Sequence, residues 1–426
     1  MSWWRLYLGR FRRQGSLTRA AGFSGLFQLL NYVFPLLLLP LLASRLTAPG
    51  FGRLAVLQAL FAYALTVTGF GFQLSAARQV ATSRDKPCEL GAVVTNTLIV
   101  KSALGCTAIL AMWLMWAVTG QRLASSGEML AGSSALVASM LFPVWLLQGL
   151  EWFGILAAAM TSIRAMTLFL IWAGVRDIHD VDVAMAAQYV PQIAASVVLF
   201  WILLARRQFK LEQPSRSGLA AAFRESFLGF SSNVAYWFYT STNLLILAAI
   251  SGSAAVAPFS AADRVIQAVR GFVYGGIQAA LPSFARSEDA TDSNWRRVMS
   301  TMRIVVPVFA GVSILIWLTS DFVIARLFGS GFERAAYLLR WMAPIPAIAA
   351  AGHCIVTLGL FGRGRAALWT TVIVSCAAVD LIVLGLSRFL FNMVADEAVT
   401  LAVIAAEVWM LGFGYFLFVR SKATRQ

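Results

Sequence analysis

The sequence predicts an all-α integral membrane protein with about twelve transmembrane helices. Three observations carry this. Of 426 residues, 59% are hydrophobic and 12% are charged, about half the charged share of an average soluble domain. Apolar runs of roughly 18 to 25 residues, long enough to cross a bilayer core, recur from one end to the other. Within these runs the hydrophobic residues do not alternate with period two, which excludes a transmembrane β-barrel. Backbone amides find no water in hydrocarbon, so each run must close its own hydrogen bonds as a helix.

The first six spans fall at 21–43, 54–75, 91–118, 129–150, 154–174 and 183–205. The second six fall at 229–250, 257–281, 301–320, 335–361, 368–388 and 398–418. The longest polar interruption, Arg206 to Arg224, separates the two sets. The chain therefore reads as a basic segment 1–20, an N-lobe 21–205, a linker 206–228, a C-lobe 229–418 and a tail 419–426. An even number of spans per half starts both halves on the same side, so any duplication is parallel. Gly22-Phe23-Ser24-Gly25 and Gly229-Phe230-Ser231-Ser232 open the halves alike, and Tyr32 meets Tyr239 at the same offset.

Connections counted alternately place 21 Lys and Arg residues on one side, from Arg5 through Arg78, Arg206 and Arg296 to Arg425. Seven lie opposite: Arg45, Arg53, Arg122, Arg176, Arg326, Arg334 and Arg388. The positive-inside rule then puts both termini in the cytoplasm. The net charge of +15 is accordingly a signature of topology and not of nucleic-acid binding. The first twenty residues intersperse arginines with Trp3, Trp4, Tyr7 and Phe11, which suits an anchor on an anionic leaflet. No small-residue cleavage site separates them from the first full span, so they do not read as a cleaved signal peptide.

Little in the chain supports covalent chemistry. Four scattered cysteines and two histidines form neither a disulfide framework nor a zinc site. No GxxxxGK[ST] loop is present to cradle ATP phosphates. Asp180-Val181-Asp182 has the letters of a metal-binding DxD beside His179, but it falls in an external loop and reads as solvated. No nucleophile–base or paired-carboxylate site assembles, so the chain reads as a transporter, not an enzyme, and as one without a cofactor. Its energy would come from an H+ or Na+ gradient or from consumption of the product.

Polar residues within the spans carry the candidate site. A charged side chain at mid-bilayer costs about 2.5–3.5 kcal/mol on insertion scales, so it faces a partner or a cavity. In the eighth span Asp263, Gln267, Arg270, Tyr274 and Gln278 share one helical face. The seventh adds Asn233, Tyr236, Thr240 and Asn243, and the first adds Ser24, Gln28 and Asn31. The uncharged stripes suit helix-to-helix hydrogen bonding equally well. Lys101, Arg164, Arg264, Arg303 and Arg340 are further cations in or near spans, against the acids Glu151, Asp263, Asp380 and Glu407. For Lys101, Arg303 and Arg340, snorkelling to the interface is the competing reading. An excess of cations in a cavity attracts a polyanion, and Arg suits phosphate through bidentate bonding. Arg164 and Arg270 lie deepest. Prolines at 35, 40, 143, 191, 307, 344 and 346 bend spans, as in many transporters.

Gly22 to Val80 resembles the opening of Wzx-type polysaccharide flippases, of the multidrug/oligosaccharidyl-lipid/polysaccharide exporter superfamily. The resemblance lies in Asn31-Tyr32-Val33-Phe34-Pro35, Ala48-Pro49-Gly50-Phe51-Gly52 and Phe70-Gly71-Phe72-Gln73-Leu74-Ser75-Ala76-Ala77-Arg78. It continues at Gln148-Gly149-Leu150-Glu151, Phe259-Ser260-Ala261-Ala262-Asp263-Arg264, Leu281-Pro282 and Phe328-Gly329-Ser330-Gly331-Phe332. The resemblance implies two six-helix lobes around a cation-lined central cavity. It implies translocation of an undecaprenyl-pyrophosphate-linked oligosaccharide across the inner membrane of a bacterium, by alternating access between rocking lobes. Membrane lipids and the polysaccharide polymerase machinery would be its partners. On this reading Arg164 and Arg270 contact pyrophosphate or acidic sugar, with Arg78, Lys101 and Arg264 next. Asp263 would balance Arg270 or carry a coupling proton.

Two other functions compete. Multidrug efflux within the same superfamily would favour acidic cavities for cationic drugs, whereas cations prevail here. A membrane polysaccharide polymerase would carry a long external loop, and the longest here has about a dozen residues.

Overall fold

The computed structural model describes residues 17–119, 124–206, 208–210, 212–285 and 291–423. Within these, the side chains of 17–33, 35, 228–229, 231–241, 278–279, 282–283, 285, 291–294, 366 and 421–423 are outside the description. Among the described residues the regular structure is all helical.

The chain begins with α1 (Leu17–Gly69) and α2 (Phe72–Ser83), then α3 (Pro87–Thr119), α4 (Ser126–Leu141), α5 (Val144–Gly149), α6 (Phe153–Gly174) and α7 (Val181–Ala205). The second half has α8 (Arg216–Ala285), α9 (Thr291–Phe328), α10 (Glu333–Met342), α11 (Ile345–His353), α12 (Ala366–Gly385) and α13 (Ala395–Ala423). Among the described residues ten stretches are long and apolar enough to cross a membrane. Two of the ten contain breaks that divide consecutive expected spans. In α1 the break is at Thr47, which is left-handed at φ 54, and in α8 it is at Gly252, φ 78. About twelve spans follow, as the sequence predicts. The two breaks are 205 residues apart, close to the offset at which the openings of the two halves echo each other.

Proline sets other boundaries. The expected span 129–150 is interrupted between α4 and α5 at Phe142 and Pro143, because proline has no amide hydrogen to continue the ladder. The start of α4 is fixed by a capping box, in which Ser125 Oγ accepts from Glu128 N at 3.1 Å and Glu128 Oε2 accepts from Ser125 N at 2.6 Å. The expected span 335–361 is broken at Ala343 and Pro344 and continues through α11 into a π-helical turn, Cys354–Leu360.

Backbone contacts divide the chain into two compact units. Unit 1 holds 1–34, 61–176 and 180–234, and unit 2 holds 35–60, 177–179 and 235–426. The core of unit 1 includes Phe70, Phe72, Val80, Leu90, Trp145, Leu203 and Phe209. That of unit 2 includes Val273, Ile277, Cys354, Val356, Cys376, Met410 and Phe418.

The polar stretch 206–228 is packed onto unit 1. Phe209 is buried against Leu90 and Val94, and Asn96 Oδ1 accepts from Ser215 N at 3.4 Å. Ser226 and Ser75 share a hydrogen bond of 2.6 Å, and Gln79 Nε2 donates to Glu225 Oε2 at 2.8 Å. Gly91 lies so close to the Lys210 carbonyl that a Cβ there would overlap it.

Candidate functional site

In unit 1 the candidate residues are Arg78, Lys101 and Arg164. Arg78, on α2, is exposed. Arg164, on α6, is partly buried and sits with its guanidinium 4.6 Å from the ring centre of buried Phe34, a cation–π geometry. Lys101, on α3, is 5% exposed and therefore does not snorkel. Its Nζ donates to Ser139 O at 2.7 Å. The reason lies four residues further on: the helical partner of the Ser139 carbonyl would be the amide of residue 143, which is proline. The ammonium caps a carbonyl that Pro143 leaves unpaired, so the geometry gives Lys101 a structural task.

In unit 2 the second part of α8 carries the polar face predicted from its spacing. Gln267 Nε2 donates to Asp263 Oδ1 at 3.4 Å. Arg270 is 3% exposed and forms a salt bridge with Glu407 of α13, so its bonded acid is Glu407 and not Asp263. Tyr274 lies with its ring 4.3 Å from that of His353, which ends α11. Asn243, from the first part of α8, donates through Nδ2 to Asp380 Oδ1 of α12 at 3.1 Å. Glu407, Asp380, Asn243 and Arg270 are all buried. The sequence marks both acids as costly in hydrocarbon but offers no spacing rule linking them to partners 137 residues away. His353, set aside as a metal ligand, enters the same interior as a ring neighbour of Tyr274.

Arg264 points elsewhere. Its guanidinium bonds Gln58 Oε1 and lies 4.9 Å from the ring centre of Phe51. Phe51 is fully buried, edge-on to Phe328 and Phe332 at 5.6 Å from each. Three of the strings that carry the family resemblance, 48–52, 259–264 and 328–332, thus meet in one packed cluster. Gly52 lies against the Ser253 carbonyl, where a Cβ would collide with it. Gln28, Asn31, Asn233 and Tyr236 lie outside the described residues as far as their side chains are concerned.

Among the described residues no group of three or more His, Cys, Asp or Glu gathers to hold a metal. The Asp180-Val181-Asp182 loop starts α7, and Asp180 Oδ2 accepts from Arg176 N at 2.7 Å. Asp182 Oδ1 likewise accepts from Val183 N at 2.8 Å, and both aspartates are half-buried.

Apolar spans with paired charges held inside them are those of a multi-pass membrane protein. Residues 17–288 match the family described as polysaccharide biosynthesis protein, and the chain belongs to that family. It is 25% identical over 260 residues to a putative O-antigen transporter of Shigella dysenteriae, a match covering 61% of this chain and 65% of that protein. It is 22% identical over 332 residues to a putative O-antigen transporter of Escherichia coli K12, covering 78% and 80%. Its fold is similar to that of a multidrug resistance MATE family transporter of the MOP superfamily in its inward-facing conformation. There the TM-score is 0.73 at 16% identity, over 93% of this chain and 95% of that one. The outward-facing conformation of such a transporter gives 0.61 at 15% identity, over 94% and 95%. The resemblance to Wzx-type flippases of that superfamily is borne out.

Proposed function

We propose that the protein moves an undecaprenyl-pyrophosphate-linked oligosaccharide from the cytoplasmic to the periplasmic leaflet of a bacterial inner membrane, for assembly of a surface polysaccharide. The observation that carries this reading is the placement of arginines on apolar spans, in a chain of the polysaccharide biosynthesis family. Arg164 is backed by Phe34 in one unit and Arg270 is held by Glu407 in the other. Arginine is the side chain best matched to a pyrophosphate, because its planar fork can bind two oxygens at once.

On this reading Arg164 is the first anion ligand, an arginine held partly buried on the apolar span α6. Arg270 meets substrate only if it exchanges Glu407 for phosphate, which makes the pair a natural point of coupling. Asp263, Gln267 and Tyr274 share one face of α8 and would offer hydrogen bonds to sugar hydroxyls. The polyprenyl tail stays in lipid while the head group crosses by alternating access. Both termini face the cytoplasm, as the cation count argues, and the product feeds a membrane polymerase.

The test is surface polysaccharide and lipid-linked oligosaccharide in a deletion strain complemented with wild type or with Arg164→Gln. Polymer restored by wild type alone, at equal protein abundance and with intermediates retained in the cytoplasmic leaflet, is the expected result. Normal polymer in the deletion strain would turn the reading to efflux.

A further inference from the structure

The expected tenth span, 335–361, begins with a helix that the bilayer does not need. After the break at Ala343 and Pro344, α11, the π-helical turn and the 3-10 turn Phe361–Arg363 run for nine, seven and three residues. Together they supply roughly 28 Å of helix, close to the ~30 Å of a hydrocarbon core. This leaves α10 at the end that the cation count places outside. Its residues divide accordingly. Ala335, Ala336, Leu338, Leu339 and Met342 are buried, while Glu333, Arg334, Tyr337 and Arg340 are exposed on the opposite face with half-buried Trp341.

Two arginines clamp this helix to its neighbours. Arg334 is bidentate to Asp396 of α13, Nε to Oδ2 at 2.9 Å and Nη2 to Oδ1 at 3.1 Å, and its Nη2 also donates to Glu397 Oε1 at 2.6 Å. Arg340 pairs with Asp321 of α9 and donates through Nε to Ser320 Oγ at 3.2 Å. Two rings share the same face. Tyr337, 38% exposed, has the Arg334 guanidinium 4.7 Å from its ring centre, and its ring lies 5.6 Å from that of Trp341. Among the described residues neither Tyr337 Oη, Trp341 Nε1 nor Glu397 Oε2 has a hydrogen-bond partner.

Aromatic faces with free polar edges beside a carboxylate suit a sugar. The C–H-lined face of a pyranose packs on a ring, and its hydroxyls donate to carboxylates and accept from N–H and O–H groups. The charges argue against a lipid phosphate. Two arginines here meet four carboxylates, Glu333, Asp321, Asp396 and Glu397, and both arginines are already paired. We infer that Tyr337 and Trp341, with Glu397 beside them, form a binding site for the glycan of the transported lipid on the external face of unit 2. The inference rests on the transport reading above and adds a place where the oligosaccharide is held once it has crossed. Clamped at both ends, α10 presents its rings ready-placed, so little freedom is lost on binding.

The test uses right-side-out membrane vesicles, in which a soluble probe meets the external face alone, with vesicles of a deletion strain as blank. The probe is the free oligosaccharide released by mild acid from the lipid-linked intermediates of the source strain. Saturation-transfer NMR should show binding to wild type, weakened about ten-fold by Tyr337→Ala or Trp341→Ala and largely kept by Trp341→Phe. Tyr337→Leu, of similar bulk but without an aromatic face, replaces the alanine variant if that one fails to fold. Absence of binding by wild type, or unchanged affinity in the folded ring variants, would overturn the inference. A second arm asks what covers the rings: Tyr337→Cys in a chain otherwise free of cysteine should react with a membrane-impermeant maleimide from outside. Protection from that reagent would place the rings in lipid, as an interfacial aromatic belt, and would overturn the sugar site. If wild type moves no lipid-linked oligosaccharide yet binds the free glycan through both rings, the site stands and the transport reading falls. Transport by a chain whose glycan binding ignores both rings would do the reverse.

Discussion

Arg270 and Glu407 form a buried ion pair, from α8 to α13, with side chains 3% and 1% exposed. Each is the other's counter-charge. Removing one partner strands the remaining charge, which typically costs about 3–5 kcal/mol, whereas replacing both by apolar groups of similar size is often neutral. Arg270→Met and Glu407→Leu should each lower the thermal midpoint in detergent sharply, and the double variant should recover most of the loss. Additive losses would show that the pair is not the stabilising unit. The double variant also separates folding from transport: stable protein that fails to restore surface polysaccharide would mark Arg270 as a substrate ligand.

Lys101 and Arg164 are both cations of unit 1, and their surroundings predict opposite phenotypes. Lys101→Met keeps the aliphatic stem but leaves the Ser139 carbonyl without a donor, at a cost of about 1–3 kcal/mol. Its folded fraction should transport normally. Arg164→Gln should lose transport with little loss of stability, because the side chain is only partly buried and glutamine keeps a polar group at that position. Unfolding curves and leaflet assays on both variants check the pair.

Phe51 is the hub of the cluster that joins the 48–52, 259–264 and 328–332 strings. Phe51→Ala removes a fully buried ring lying against Phe328 and Phe332, a change that typically costs about 3–5 kcal/mol. Phe51→Leu should cost less, and a thermal-shift series of the two variants reads the difference. Equal midpoints for wild type and alanine would refute the packing role.

Gly91 makes the close approach between α3 and the Lys210 carbonyl. Gly91→Ala should push the 206–228 stretch off unit 1 and expose it to protease in membrane vesicles. Gly69→Ala, where a Cβ meets open space, is the control and should leave cleavage unchanged.

The spans were legible because burial in hydrocarbon demands long apolar runs, and the polar face of α8 because helical spacing fixes which side chains align. The breaks were less so. Thr47 takes a left-handed conformation that its residue type does not announce. Asp380 and Glu407 stood out as acids, yet their partners lie on a helix 137 residues away, beyond any local pattern. The task of Lys101 was readable in principle: Pro143 orphans the carbonyl of Ser139, and a buried cation on a neighbouring span is a donor seeking such a group.

That last arrangement ties a helix breaker to a charge. Elsewhere, replacing a proline inside an apolar helix by alanine restores a missing hydrogen bond and steadies the helix. Here Pro143→Ala would give the Ser139 carbonyl a backbone amide and deprive the Lys101 ammonium of its acceptor. A repair to the backbone would evict a cation into hydrocarbon. The lysine and the proline, forty-two positions apart in the chain, therefore act as one device, and a variant that alters either must alter both to keep its balance.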